Sequence, residues 1–335
     1  MTNILYETTK KIMTNGKGIL ASDERPSSAN KNLEKAGIVP SDEMRRSYRD
    51  LFINTPDLEK YVSGIIIHDE TFWQNDLNNK PFRETLTEKG ILIVIKVDEG
   101  TTELPEFPGE KITLGLDGLK ERLEKYYEAG ARLAKWRSVI KIGNNIPTQA
   151  CIEANATGLA EYASFCQSFN IVPIVEPEVL IDGDHTIEIA EEITTNTLNI
   201  LFEKLSEYRV DIKGLILKSS MVIPGKESTQ EVTPEQIAQA TIRTFNNSVP
   251  KDLPGIVFLS GGQDAIEATE NLNAIAKNEP LPWEIAFSYL RALEGSAAKI
   301  WQGKEENVDE ARKEFIKRLS LNVLADKGAY KSELE

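Results

Sequence analysis

Three lysines lie inside or at the end of apolar runs, Lys96 in VIKV, Lys135 in LAKW and Lys218 in LILK. Lysine is a poor choice for core packing, because a buried ammonium costs several kcal/mol unless it is paired or neutralised. Carboxylates follow other apolar runs in the same manner: Asp23 and Glu24 after GILA, Asp98 after Lys96, and Glu176 and Glu178 in the EPE that follows IVPIV. A lysine desolvated near other cations is pushed towards its neutral, nucleophilic form, which condenses with a ketone as a Schiff base. Glu176 and Glu178, one residue apart on an extended chain, share a side and can serve as acid and base.

A second kind of chemistry is written in LSGGQDAIEA. Ser260, Gly261 and Gly262 form a turn that opens into a helix, where backbone N–H groups can meet an anion. Ser288 and Arg291 follow the next apolar run, and arginine offers a planar fork suited to phosphate. His68 in IIIHDE is read as hydrogen-bonded at a strand end rather than as a catalytic base.

These residues need a scaffold that gathers strand ends. Eight apolar runs recur along the chain: Gly18–Ala21, Gly64–Ile67, Ile91–Val97, Leu133–Trp136, Ile171–Val175, Gly214–Leu217, Gly255–Leu259 and Ile285–Leu290. Every gap is long enough for the crossover helix that a parallel sheet requires. Helical patterns fill Asp117–Ala129, Pro147–Phe169 and Asp184–Tyr208, and Thr233-Pro234 opens another helix with an N-cap and a proline at its first position. The fold expected is α/β, a single (β/α)8 TIM barrel over residues 1–335 with additional N- and C-terminal helices, because no composition break or linker divides the chain. Pro173 predicts a local distortion in its strand. The stretch Glu305–Asp326 predicts a helix outside the eightfold pattern, whose charges from Glu305 to Arg318 read as a solvated face.

Composition narrows the chemistry further. With 39 Lys+Arg against 53 Asp+Glu, the net charge of −14 argues against a surface that tracks nucleic acid. No apolar stretch approaches a membrane span or a signal peptide, so a soluble, cytoplasmic protein is expected. Cys151 and Cys166 lie too far apart on one helix to bridge. His68 and His185 are the only histidines, which rules out a three-histidine zinc site and predicts chemistry without a transition metal.

At these residues the chain resembles the class I, metal-independent fructose-1,6-bisphosphate aldolases. The resemblance is carried by GKGILASDE (16–24), GLDGL (115–119), AKWRSVIKIG (134–143), NIVPIVEPEVLIDGDH (170–185), LILKSSMVIPG (215–225), FLSGGQ (258–263), NLNAI (271–275) and FSYLRAL (287–293). It implies a glycolytic lyase that cleaves fructose 1,6-bisphosphate into dihydroxyacetone phosphate and glyceraldehyde 3-phosphate. It further implies Lys218 as the Schiff-base nucleophile, Glu176 as proton shuttle, Asp23 as acceptor of the C4 hydroxyl proton, Lys135 beside the imine, and Glu178 orienting the lysines.

For the C1 phosphate the resemblance implies Ser260, Gly261, Gly262, Ser288, Leu290 and Arg291; for the far phosphate, Lys96, Ser28 and Lys31. Arg137 is a further substrate- or phosphate-binding residue, and no cofactor is implied beyond the covalent lysine imine. The chain departs from the family in DERPSSANKN, where Arg25 stands for a serine and Asn32 for an arginine, so Arg25 is expected to take over the lost arginine's contact. KSS replaces the family's KPN, and Leu290 replaces a glycine whose backbone N–H it retains. The family's C-terminal tyrosine arm is expected to be missing, since the sequence stops at Glu335, five residues past Tyr330. The resemblance also implies a homotetramer. Two other readings compete: a Schiff-base lyase for fructose 1-phosphate or sedoheptulose 1,7-bisphosphate, and a non-catalytic sugar-phosphate-binding scaffold.

Overall fold

The computed structural model describes residues 3–335. Eight parallel strands form one sheet in sequence order: β1 (Gly18–Ser22), β2 (Val62–Ile67), β3 (Leu92–Lys96), β4 (Leu133–Ile140), β5 (Val172–Val179), β6 (Ile216–Ser219), β7 (Gly255–Phe258) and β8 (Glu284–Phe287). The Ala21 N–H donates to the Tyr289 carbonyl at 2.9 Å, joining the first and last strand regions of the barrel. Each expected apolar run contains or overlaps its strand. The crossovers include the expected helices Leu119–Glu128, Gln149–Ser168, Ile187–Glu207 and Pro234–Ser248, the last opened by a complete Thr233–Gln236 capping box.

Period-two alternation divides the strand side chains between two cores. Inward residues Ile19, Ala21, Ile66, Val94, Leu133, Val172, Ile174, Ile216, Val257 and Ala286 fill the barrel. Outward neighbours such as Leu20, Ile95, Trp136, Val175 and Leu217 pack against the helices in a larger cluster. The amphipathic helix Ile4–Ile12 adds Leu5, Ile12 and the following Met13 to the inner cluster. Continued by two, the inward series runs from Ala21 to Asp23, from Val94 to Lys96 and Asp98, from Leu133 to Lys135 and Arg137, from Ile174 to Glu176 and Glu178, and from Ile216 to Lys218. The barrel is therefore apolar below and charged at its C-terminal mouth.

Four expectations need correction. Pro173 causes no break: β4 and β5 pair in unbroken register from Leu133–Val172 to Ile140–Val179. The Val172 N–H donates to Arg132 on the β4 side, so strand alternation turns the Pro173 nitrogen towards β6, where pairing starts only at Ile174. β5 thereby extends through Pro177 and carries Glu176 and Glu178 inside the strand rather than after it. Lys218 likewise lies within β6, whose first expected residue, Gly214, belongs to a 3-10 turn (Ile212–Gly214). The charges between Glu305 and Arg318 are not all solvated: Arg318, on the helix Val308–Asp326, is buried and binds Glu335, the Ala265 carbonyl and Thr269.

Gly18 shows how tight the seam between β1 and β8 is. A Cβ at this position would lie 2.2 Å from the ring of the fully buried Phe287. Overpacking of this kind costs about 1–3 kcal/mol, so Gly18→Ala should lower the urea-unfolding free energy by that amount, and an unchanged midpoint would show that the seam relaxes freely.

Candidate active site

Four charged side chains meet where the inner apolar core ends. The Lys135 ammonium lies 2.8 Å from Asp23 Oδ2 and 2.9 Å from Glu176 Oε2, and Lys218 Nζ lies 3.3 Å from Glu176 Oε1. Asp23 follows β1, Lys135 is on β4, Glu176 on β5 and Lys218 on β6, so closing the barrel is what brings them together. All four side chains are at least nine-tenths buried.

Burial penalises every charge in this group, and the pairing decides which survive. Burial would raise the Asp23 carboxyl, but Lys135, aided by Lys96 and Lys218, outweighs it and holds the group well below the usual carboxylate range. Glu176 is likewise lowered against its own burial by Lys135 and Lys218. Burial would lower Lys135, yet Asp23 and Glu176 together raise it above an ordinary lysine. Lys218 goes the other way: burial is the main cause, Glu176 opposes it, Lys135 adds repulsion, and the net shift is downward. Two lysines in one cluster are thus set apart, one held charged and the other biased towards the neutral amine.

The four residues line a cavity of about 570 Å³. Its rim on one side carries Ser260, Gly261, Ser288, Leu290 and Arg291. Gly261 and Gly262 have successive positive φ angles of 57° and 93°, a conformation that suits glycine and turns backbone N–H groups to one side. Leu290 precedes the helix Arg291–Trp301 without a capping side chain, which leaves its first N–H groups free of such a partner. The buried Ser288 hydroxyl has no hydrogen-bond partner. The opposite side carries Arg25, Ser28, Lys96 and Arg137.

The sequence-predicted set is gathered almost complete, with informative exceptions. Lys31 and Gly262 are exposed, and neither lines the cavity. Glu178 binds the Arg137 guanidinium rather than Lys135 or Lys218. His68 caps the short helix Asp69–Trp73 by accepting the Glu70 N–H at 3.3 Å, as its strand-end position predicts. Tyr330 is buried, with its N–H on Asn273 and its hydroxyl on Glu335.

The cavity wall also holds Glu24, Asn32 and Asp98, for which the resemblance implies no role. Asn32 donates to Glu24 Oε1 at 3.0 Å, which fills with an amide the place of an arginine in the resemblance. Alternation marks Asp98, two residues beyond Lys96, but not Asn32, whose contact depends on the strand-to-helix turn after β1.

Under Asp23 lies a second buried network. Arg49 sits 2.8 Å from Glu24 Oε2 and donates to the Ser22 hydroxyl at 2.8 Å, while the Tyr48 hydroxyl donates to Glu294 at 2.9 Å. Burial, reinforced by Glu24 and only partly offset by Arg49, pushes the Glu294 carboxyl up. Among the described residues no group of three or more His, Cys, Asp or Glu side chains is placed to hold a metal ion, and no helix is long and apolar enough to cross a membrane.

Comparison with known proteins converges on one family. The family model for class-I fructose-bisphosphate aldolase matches residues 4–335. The chain is 47% identical over 325 residues to cytosolic fructose-bisphosphate aldolase 4 of Arabidopsis thaliana, covering 97% of this chain and 83% of that one. It is 45% identical to a probable class 1 fructose-bisphosphate aldolase of Xylella fastidiosa, covering 98% of both. A solved fructose-bisphosphate aldolase of Plasmodium falciparum, in complex with TRAP and a small-molecule inhibitor, superposes with a TM-score of 0.97 at 44% identity, covering 98% of this chain and 95% of that one.

The Glu294 shift has a sign that can be measured. Its native pKa lies above its unfolded value of about 4.3, so the native state binds the extra proton and stability falls as pH rises from that value towards the native one. Glu294→Gln removes this slope. In urea unfolding the variant should gain stability relative to wild type between pH 5 and pH 8, and a difference that does not change with pH would contradict the assignment.

Proposed function

Because the chain belongs to the class I fructose-bisphosphate aldolase family, we propose that it cleaves fructose 1,6-bisphosphate reversibly to dihydroxyacetone phosphate and glyceraldehyde 3-phosphate, through a Schiff base on Lys218. The observation that supports this most directly is the Lys218–Glu176–Lys135–Asp23 cluster, in which one buried amine is biased towards neutrality beside a carboxylate 3.3 Å away.

The neutral Lys218 amine attacks the C2 carbonyl of the ketose, and Glu176 moves protons between nitrogen and oxygen until water leaves and an iminium forms. The C3–C4 bond electrons then flow into the iminium as Asp23 takes the C4 hydroxyl proton, releasing the aldehyde and leaving an enamine. Protonation at C3 and hydrolysis release the ketone and restore Lys218. Lys135, charged throughout, holds Asp23 and Glu176 in place and keeps both ionised, ready to accept a proton, in the resting site. Glu178 acts through Arg137, which it orients towards the cavity.

For the C1 phosphate, Ser260, the Gly261 backbone, the unpartnered Ser288 hydroxyl, the Leu290 N–H and Arg291 form a donor set of the kind that helix N-termini and glycine turns provide. Lys96, Arg25 and Ser28, with Arg137, would take the other phosphate. Residues 1–335 act as one catalytic domain, in the cytosol as the Arabidopsis relative's name has it, and as a homotetramer, for which light scattering should give four times the 37.4 kDa chain mass.

Borohydride added with dihydroxyacetone phosphate should label one peptide, that of Lys218, and Lys218→Ala should abolish the label; labelling elsewhere overturns the nucleophile. Glu176→Gln should lower kcat by about 10²–10⁴, the range for loss of a general acid–base group. EDTA should leave turnover unchanged, and inhibition reversed by zinc would refute the metal-independent scheme.

A further inference from the structure

Asp98 has no part in the bond-making steps, yet it is the most heavily engaged carboxylate on the cavity wall. Its side chain is 3% exposed. The Lys96 ammonium donates to both of its oxygens, at 2.6 and 2.8 Å. The Gly100 and Arg137 N–H groups each donate to it at 3.3 Å. Arg25 Nη2 lies 3.5 Å from its Oδ1 and donates to its carbonyl oxygen at 3.1 Å.

Space for that guanidinium exists because residue 100 lacks a side chain. Gly100 has φ of 90°, and a Cβ on it would lie 2.0 Å from Arg25 Nη1. The cluster also forms a shared wall: Arg25, Lys96 and Asp98 line both the active-site cavity and a neighbouring one of about 450 Å³.

Two cations held on one carboxylate leave a net charge of +1 beside the cavity. An ammonium carries three protons, and two of those on Lys96 are directed at Asp98, leaving one for a ligand. Asp98 itself is pinned by two backbone N–H groups, so it cannot swing away when an anion arrives. Without it, Lys96 would be a desolvated ammonium close to Lys135, free to turn aside or lose its proton.

We propose that Asp98 is a positioning residue that fixes Lys96 and Arg25 as a two-pronged receptor for the phosphate remote from the Schiff base, and so sets the preference for ketose bisphosphates over monophosphates. This rests on the reading of Lys96 and Arg25 as that phosphate's cations. Asp98 touches no reacting atom, and its effect is carried by the two side chains it holds.

The test compares kcat/KM for fructose 1,6-bisphosphate and fructose 1-phosphate in wild type, Asp98→Asn, Lys96→Met and the double variant. Asp98→Asn should lower the bisphosphate-to-monophosphate ratio at least tenfold, through a raised KM for the bisphosphate, and Asp98→Glu should restore part of it. The loss in the double variant should be smaller than the product of the two single losses, because Asp98 acts through Lys96 as well as through Arg25, and fully multiplicative losses overturn the proposal. Equal losses for both substrates, an unchanged ratio, or a lowered bisphosphate KM would overturn the proposal. If Asp98→Asn does not fold by circular dichroism, Gly100→Ala carries the test by displacing Arg25: the ratio should fall about fivefold, and an unchanged ratio overturns the proposal. A wild type that traps at Lys218 but shows no bisphosphate preference overturns this inference alone, whereas absence of trapping removes the Schiff-base reading beneath it.

Discussion

Everything at the barrel mouth depends on one ammonium held between two carboxylates. Lys135 is buried with Asp23 on one side and Glu176 on the other, and removing any member leaves an uncompensated charge in a medium that penalises it. Breaking such a buried pair typically costs about 3–5 kcal/mol. The arrangement persists because its three parts come from β1, β4 and β5, each fixed by ladder hydrogen bonds and by apolar layers beneath. Burial, with added repulsion from Lys135, lowers the basicity of the neighbouring Lys218 against the pull of Glu176, so the same cluster that holds one amine charged biases the other towards its neutral form.

The charge distribution follows from the same arrangement. The chain carries a net −14, yet the cavity at the barrel mouth collects Arg25, Lys96, Lys135, Arg137, Lys218 and Arg291. Much of the compensating acidity is on helix surfaces, as with the exposed Glu203, Glu207, Glu305, Glu306 and Glu310. Inside the cavity each cation except Arg291 is held by a carboxylate, which orders the donors before a ligand arrives. Preorganisation of this kind spares a charged ligand the cost of arranging its own receptor.

Departures from the family pattern are absorbed locally. Asn32 replaces a cation and bonds Glu24, while Glu24 keeps the cationic partner Arg49 from a different helix, Asp42–Ile53. Arg25 reaches Asp98 over a glycine that leaves room for it. These substitutions alter how the rim beyond β1 is wired without touching the four residues at the centre.

Apolar runs, spaced helices and charged residues placed two beyond inward-facing ones were legible in the chain itself, because side-chain alternation is a local property of a strand. That alone was enough for a barrel, for a pool of strand-end lysines and carboxylates and for a phosphate-binding turn at Ser260, while the resemblance singled out Lys218, Glu176, Lys135 and Asp23 from that pool. Partnership was not legible. That Glu178 takes Arg137 rather than a lysine, that Lys31 points elsewhere, that Arg318 is buried and that Pro173 disturbs nothing are consequences of which strands and helices lie side by side. A strand's sequence sets which way its side chains face, but the distances over which charges act are set by barrel closure, and only the folded chain brings Asp23 within 2.8 Å of Lys135.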